Sequence, residues 1–227
     1  EVSITLKEQD GIKRVQVQPV IQTEAAAMIK EMMLLAGEAA ARFAFQHSIP
    51  FQYISQEAPE LPNKLPSGLA GEYRKRRAMR PRSVGTIPSM HAALGLAMYG
   101  QVTSPLRRYG DLVSHRQLLN YIDGKSLTPA ADLILKIAAG DVAGRACVSA
   151  ERASRQHWTL VYLLQNPDWR GTAVVLEAMG RKAHIFIPSL GYEGDMTLDT
   201  EPELNQELTV KVRRIRLAYL QASFEQV

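Results

Sequence analysis

Disulfides are the first thing this chain lacks: its 227 residues include one cysteine, Cys147. An internal disulfide framework is excluded, and a reducing cytoplasm suits the chain. Apolar runs are short, none nearing the ~20 residues that cross a bilayer, so no membrane partner is expected. No signal-peptide pattern is present. The chain starts at Glu1 and not at methionine, and it reads as a fragment or one piece of a cleaved chain. Internal repeats and low-complexity tracts are missing. Clustered aspartates are missing too: all eight, from Asp10 to Asp199, lie widely scattered. A site where several carboxylates converge on hard cations is not written into any one stretch.

What is present is an ordinary globular composition, 46% apolar and 22% charged, with a net charge of +4. The length supports one sizeable core and a small second domain. A modest basic excess is compatible with nucleic acid without establishing it. Val2 to Leu6 and Val15 to Gln18 alternate around Asp10-Gly11, which predicts a hairpin. Thr23 is placed to cap a long helix over 24–47, rich in Ala, Met and Leu and free of Pro. Its Met-rich stretch 28–33 is expected in the core, and Cys147 is expected to be buried. Residues 58–68, with Pro59, Pro62 and Pro66, read as a loop. A basic run follows, Arg74, Lys75, Arg76, Arg77, Arg80 and Arg82, read either as a solvated loop face or as an RNA-contacting rim. The apolar segment 89–99 reads as helical. Another helix is predicted over 105–122, ended by Asp123-Gly124. A further one starts at Thr128-Pro129, breaks at Gly140-Asp141 and resumes to Leu164.

The character changes at Asn166-Pro167. Five short β-branched runs follow, punctuated by Gly and Pro, and predict a small closed barrel. The fold class is therefore α+β, with one domain over 1–165 and an all-β barrel over 166–227.

The most informative stretch runs from Thr103 to Arg116. Ser104 is a good N-cap and Pro105 fits the first helical position, which puts Arg107 and Arg108 in or near the first turn. Cations there oppose the helix dipole by ~0.3–1 kcal/mol each. Free backbone N–H groups point outward at the same place, so two arginines make an anion trap suited to a phosphate. The alternative is an ordinary surface ion pair from Arg107 to Asp111, four residues on.

The stretch Tyr99-Gly-Gln-Val-Thr-Ser-Pro-Leu-Arg-Arg-Tyr-Gly-Asp-Leu-Val-Ser-His115-Arg116 closely resembles the signature of the ribonuclease II / ribonuclease R family. Its flanks agree. His91-Ala-Ala-Leu-Gly-Leu-Ala resembles the helix before the signature, and Ile29-Lys-Glu31-Met-Met-Leu-Leu-Ala36 a further family helix. Ala150-Glu151-Arg152-Ala153 resembles the acidic-basic pair in the helix leaving the catalytic domain. Residues 169–227 look like an S1 domain, an OB-fold barrel. The resemblance implies the C-terminal half of an RNB-type catalytic domain followed by that barrel. The activity implied is processive 3′→5′ hydrolysis of single-stranded RNA to nucleoside 5′-monophosphates. Arg107 would hold the phosphate at the scissile bond, with Arg108 a second phosphate or structural partner. Thr103, Ser104 and Tyr109 are counted with the RNA-binding residues. Glu31 would sense the ribose 2′-hydroxyl, and Glu151 would lie near the 3′ end. For Glu31 the plainer reading is a solvated helix position, and for Glu151 an ion pair with Arg152 or Arg155. Asp111 and His115 are expected to brace the helix.

On the barrel, His184, Phe186, Tyr192, Lys211, Arg213 and Arg214 are the candidate RNA-binding residues. Phe186 could instead point into the core with Val174 and Ile215. Two departures from the family pattern leave the subgroup open: Gln101-Val102 replaces a common His-Phe, and Gly37 stands where Asn is frequent. The family's hydrolysis uses Mg²⁺ on an aspartate cluster. That cluster is expected upstream of Glu1, so the implied partners are single-stranded RNA and the missing N-terminal half, on the same or a separate chain. A non-catalytic RNA-binding or regulatory relative of the same fold is the alternative. On the enzyme reading, the purified 227-residue chain incubated with labelled single-stranded RNA and Mg²⁺ should leave the RNA intact on a denaturing gel; Mg²⁺-dependent degradation would contradict it.

Overall fold

The computed structural model describes residues 2–9 and 11–227. In chain order the elements are β1 (Val2–Gln9), β2 (Ile12–Pro19), α1 (Glu24–Gln46), β3 (Tyr53–Ser55), α2 (Gly68–Ala78) and β4 (Ser83–Gly85). A 3-10 turn (Ala92–Leu94), α3 (Tyr109–Ile122) and α4 (Ala130–Gln165) follow. The barrel strands are β5 (Arg170–Met179), β6 (Lys182–Ile187), β7 (Tyr192–Thr197), β8 (Glu207–Arg216) and β9 (Gln221–Gln226). The chain forms two compact units. One takes in the hairpin, Leu61–Arg77 and Ser149–Val227; the other combines Gln22–Glu60 with Ala78–Val148.

In the barrel unit the five strands pair antiparallel in the order β7-β6-β5-β8-β9. Alternation along β6 sends Ala183, Ile185 and Ile187 inward, where they meet Val175, Val210, Phe224 and, from α4, Leu160 and Leu163. Each such side chain contributes ~1.5–3 kcal/mol on burial. Bulges at Val175/Glu177 and Val212/Arg214 bend β5 and β8 and help the sheet curl. The β1–β2 hairpin forms as expected, and its turn residue Asp10 lies outside the described residues. Gln165, at the end of α4, ties the hairpin down: its amide accepts from the Val15 N–H (2.9 Å) and donates to the Lys13 carbonyl (3.0 Å).

In the second unit α1 begins at the Thr23 cap, whose hydroxyl accepts from the Ala26 N–H at 3.1 Å. Its small face, Ala41 and Ala44, packs on Ile49, Phe51 and Tyr53. Val113 of α3 meets Leu133 and Ile137 of α4.

Several expectations are corrected. Residues 89–99 are not an α-helix: only Ala92–Leu94 turns, ended by Gly95 at φ 67°, and His91 bonds back to Leu96. The basic run is a helix in part, since α2 covers Arg74 to Arg77. Gly140-Asp141 does not break α4, which is continuous over 36 residues. Gly140 is there because Tyr109 packs on it; a Cβ would sit 2.9 Å from the Tyr109 ring. Asp141 is held by Arg82 and Arg145, both at 2.8 Å. The Met-rich stretch is not core: Met28 is 58% and Met32 57% exposed. Cys147, on α4, is exposed as well.

Two glycines in helices should respond oppositely to Ala. At Gly71 a Cβ would fall on the Pro66 carbonyl oxygen, so Gly71→Ala should cost ~1–3 kcal/mol in urea unfolding. At Gly144, in α4, nothing lies within 4 Å, so Gly144→Ala should stabilise by ~1 kcal/mol.

Candidate nucleic-acid interface

The signature stretch folds around one buried carboxylate. Asp111 is 1% exposed. Its Oδ2 accepts from the Ser104 N–H (2.9 Å) and from Arg108 Nε (3.0 Å) and Nη2 (2.6 Å). Arg108 Nη2 also donates to the Thr103 hydroxyl at 3.2 Å. The Ser104 carbonyl takes the N–H groups of Arg107 (3.2 Å) and Arg108 (2.9 Å), closing a tight turn. The helix therefore starts later than expected. Arg108, not Ser104, is the N-cap residue of α3, and Asp111 stands in the first turn, where the dipole favours a negative charge. Arg107 lies just before the helix. Its expected pair with Asp111 does not form, because Arg108 takes that carboxylate.

Arg107 is exposed, and among the described residues its guanidinium makes no hydrogen bond or ion pair. Leu106 beside it is fully exposed. The loop thus offers a fork of donors on a backbone fixed from within. Its footing is tightly filled. Gly110 sits on the buried Gln52 amide, so closely that no Cβ fits. His115 Nε2 meets the Val102 carbonyl, and Gln117 ties Pro50 to Thr128 through three hydrogen bonds of 2.9 Å. Tyr99 is buried beside the clamp. Burial pushes its phenol above the ordinary range, the Arg108 charge pulls it back, and Asp111 adds to the rise. Gly37 of α1 lies against the Tyr99 ring and the Gly100 carbonyl, where a side chain would collide. This accounts for glycine at a position where the family often carries Asn.

The other candidates fall elsewhere. Tyr109 is half-exposed over Gly140. Glu31 is exposed on α1 and makes no hydrogen bond among the described residues. Glu151, on the other compact unit, pairs with Arg155 at 3.1 Å.

On the barrel, His184 and Phe186 share the outer face of β6, whereas Tyr192, expected on the binding face, is buried in the core with its hydroxyl on the Ala222 backbone. Phe186 pairs across the ladder with Val174, and that face points away from the core. Helix α2 is docked on the same face. Tyr73 packs on the His184 ring with centroids 5.2 Å apart, and Arg76 holds Glu193 through two bonds of 2.7 and 2.8 Å. Asn205 fixes the start of α2, accepting from the Ala70 N–H and donating to the Ser67 carbonyl, both at 2.8 Å. His184 Nδ1 also meets Asp195 at 2.6 Å, and Lys211 pairs with Glu225 at 3.0 Å. Arg214 carries no ion pair among the described residues. Arg213 lines a groove of about 680 Å³ together with Tyr73, Arg77, Lys182 and His184. Arg77 belongs to the basic run, while Tyr73 and Lys182 were not singled out in the sequence; an aromatic directly before that run was the available signal.

Residues 166–227 hold seven Lys and Arg against nine Asp and Glu. The segment as a whole is thus slightly acidic, with the acidic excess in its loops, and the basic helix α2 adds cations beside it. Metal binding does not fit these residues. Among the described ones no three His, Cys, Asp or Glu side chains converge, and the buried Asp111 is committed to Arg108.

The clamp and the exposed arginine should separate in unfolding experiments. Asp111→Ala strands Arg108 and the Ser104 N–H and should cost ~3 kcal/mol. Arg107→Ala should stay within about 0.5 kcal/mol of the parent chain. Urea titration followed by circular dichroism measures both.

Comparison with known proteins agrees with this geometry. The RNB domain family matches residues 70–124. An uncharacterized ribonuclease of Synechocystis is 33% identical over 225 residues, covering 92% of this chain and 34% of that protein. The chain thus spans about a third of that relative's length. Two solved structures match its whole length. An active-site mutant of the Dss1 exoribonuclease from Candida glabrata does so with TM-score 0.81 and 22% identity, over 31% of that chain. Ribonuclease R of Mycoplasma genitalium, in complex with ribose-methylated single-stranded RNA, does so with TM-score 0.72 and 14% identity, over 45% of that chain. With the signature on an ordered loop, an OB-type barrel in the C-terminal segment and these relatives, the chain belongs to the ribonuclease II / ribonuclease R family.

Proposed function

We propose that this chain is the phosphate-holding and RNA-guiding part of a processive 3′→5′ exoribonuclease, which hydrolyses single-stranded RNA to nucleoside 5′-monophosphates. One observation carries the reading. Arg107 is an exposed, uncommitted guanidinium on a turn whose backbone is pinned by the Arg108–Asp111–Ser104 clamp. Hydrolysis at phosphorus shifts charge onto the non-bridging oxygens. A guanidinium fork already aimed at them stabilises that charge without reorganising. Thr103 and Ser104 hold the loop, and Arg108 has its charge committed to Asp111, so it supports Arg107 from behind.

The remaining roles follow from chemistry and position. Glu31 is free to accept a hydrogen bond from a ribose 2′-hydroxyl, which RNA has and DNA lacks. Glu151 contacts the 3′ end, Tyr109 offers a ring beside the arginine loop, and the barrel guides the strand through Lys211, Arg213, Arg214, His184 and Phe186. Because α2 covers part of the barrel's outer face, its cations act with the barrel and not apart from it. Mg²⁺ supplies the activation of water in this chemistry; its ligands belong to the aspartate-bearing half of the enzyme, the protein partner of this chain. A single cysteine and no membrane-crossing helix among the described residues suit a cytoplasmic setting.

The test is Arg107→Ala in the enzyme assembled with its aspartate-bearing half. Turnover of single-stranded RNA should fall at least ~100-fold, while affinity, read by fluorescence titration, changes little. Near-normal turnover with unchanged affinity would remove Arg107 from the chemistry.

A further inference from the structure

The first turns of α1 are apolar on every side and lie in the open. From Glu24 to Met33 every residue is exposed, and seven of these ten are Ala, Met or Ile. Met28, Met32 and Leu35, each more than half exposed, recur at i, i+4 and i+7 and form one stripe. The buried positions of the same helix, Gly37, Ala41 and Ala44, fall on the opposite side at about 100° per residue. One side of α1 thus faces its own core, and a second apolar side faces outward. Helices that are apolar all round are buried in finished proteins, and an exposed stripe of this kind marks a docking face.

The charges on this segment narrow the occupant. Glu24 and Glu31, seven residues apart, edge the stripe, and Lys30 is the one cation between Thr23 and Ala41. A polyanion finds too little positive charge here. A helix lying on a membrane surface carries Lys and Arg along its polar face, and this one does not. An apolar groove of another protein suits it. Met28, Met32 and Leu35 have the spacing of anchors on a helix seated in a groove, and methionines pack into irregular surfaces. We propose that this stripe is the docking face for the aspartate-bearing half of the enzyme. That half is the partner the function above calls for, so the proposal rests on that reading. The Synechocystis relative has the length to supply it, since only 34% of that protein is matched here. Glu31 stands at the margin of the stripe, so the seam between the halves passes the carboxylate given above to the ribose 2′-hydroxyl. Arg107 belongs to the same compact unit. Docking on α1 therefore brings the metal ligands of one half to the unit that holds the phosphate in the other.

Methionine oxidation by dilute peroxide, read by mass spectrometry, tests it in the 227-residue chain alone and in the assembled enzyme. Met28 and Met32 should oxidise readily in the chain alone and at least ~tenfold more slowly after assembly, because sulfoxide formation follows access to the sulfur. Met179, 82% exposed at the end of β5, is the internal control and should not change. Met32→Asp should weaken assembly of the two halves at least ~tenfold, whereas Met32→Leu keeps it; circular dichroism checks that both variants are folded. Unchanged oxidation of Met28 and Met32 in an assembled enzyme that turns over RNA overturns the docking face alone. Protection in the isolated chain that grows with its concentration overturns it in favour of a second copy. Protection by anionic lipid vesicles, without the other half, overturns it in favour of a membrane. Halves that do not assemble at all overturn the partner reading together with it.

Discussion

Everything around the signature depends on the carboxylate of Asp111 being held in the interior. A carboxylate removed from water costs several kcal/mol unless charge and hydrogen bonds compensate it. Here compensation comes from the Arg108 fork, the Ser104 N–H and the first turn of α3. Satisfying that one oxygen closes the turn from Ser104 to Arg108, sets where α3 begins and turns Arg107 outward without a partner. Two adjacent arginines thereby part company: Arg108 neutralises an internal anion, and Arg107 is exposed. The packing around the clamp leaves no slack, with Gly110 on Gln52 and Gly37 on Tyr99.

Charge is divided unevenly, and the division reshapes how the barrel is understood. The strands and loops of 166–227 are slightly acidic, while the positive excess lies in the first 165 residues. Glu193 of β7 holds the basic helix α2 through Arg76, and Tyr73 packs on His184. A small OB-type barrel is commonly pictured as presenting its own cations and rings to a strand. In this chain the cations that reach the groove beside Arg213 come partly from α2, through Arg77. The long helix α4 adds Arg152 and Arg155 at another groove. The cations beside the barrel thus come from helices as well as from its own strands.

Some of this was legible in the residues and some was not. Thr23 followed by a Pro-free run rich in Ala, Met and Leu sufficed for α1, because capping and helix propensity act locally. Short β-branched runs between Gly and Pro sufficed for five strands. Local signals failed where a distant partner decided. Gly140-Asp141 looked like a break, but the ring of Tyr109 fills the glycine's gap and two arginines hold the aspartate, so α4 runs through. Ser104-Pro105 looked like a helix start, but Asp111 recruited the Ser104 N–H and moved the start to Tyr109.

By itself, then, the sequence determined the fold class, the long helix, the strand-rich C-terminal segment and the arginines of the signature. Those features rest on periodicity, local capping and a motif spaced over fewer than twenty residues. Tertiary structure alone decided which arginine is free, which face of β6 looks outward and what covers it, and which arginines of α2 and α4 share a groove. Each is a question of what stands opposite a side chain, and chain neighbours do not answer it: Glu193 and Arg76 are 117 residues apart in sequence and 2.7 Å apart in space.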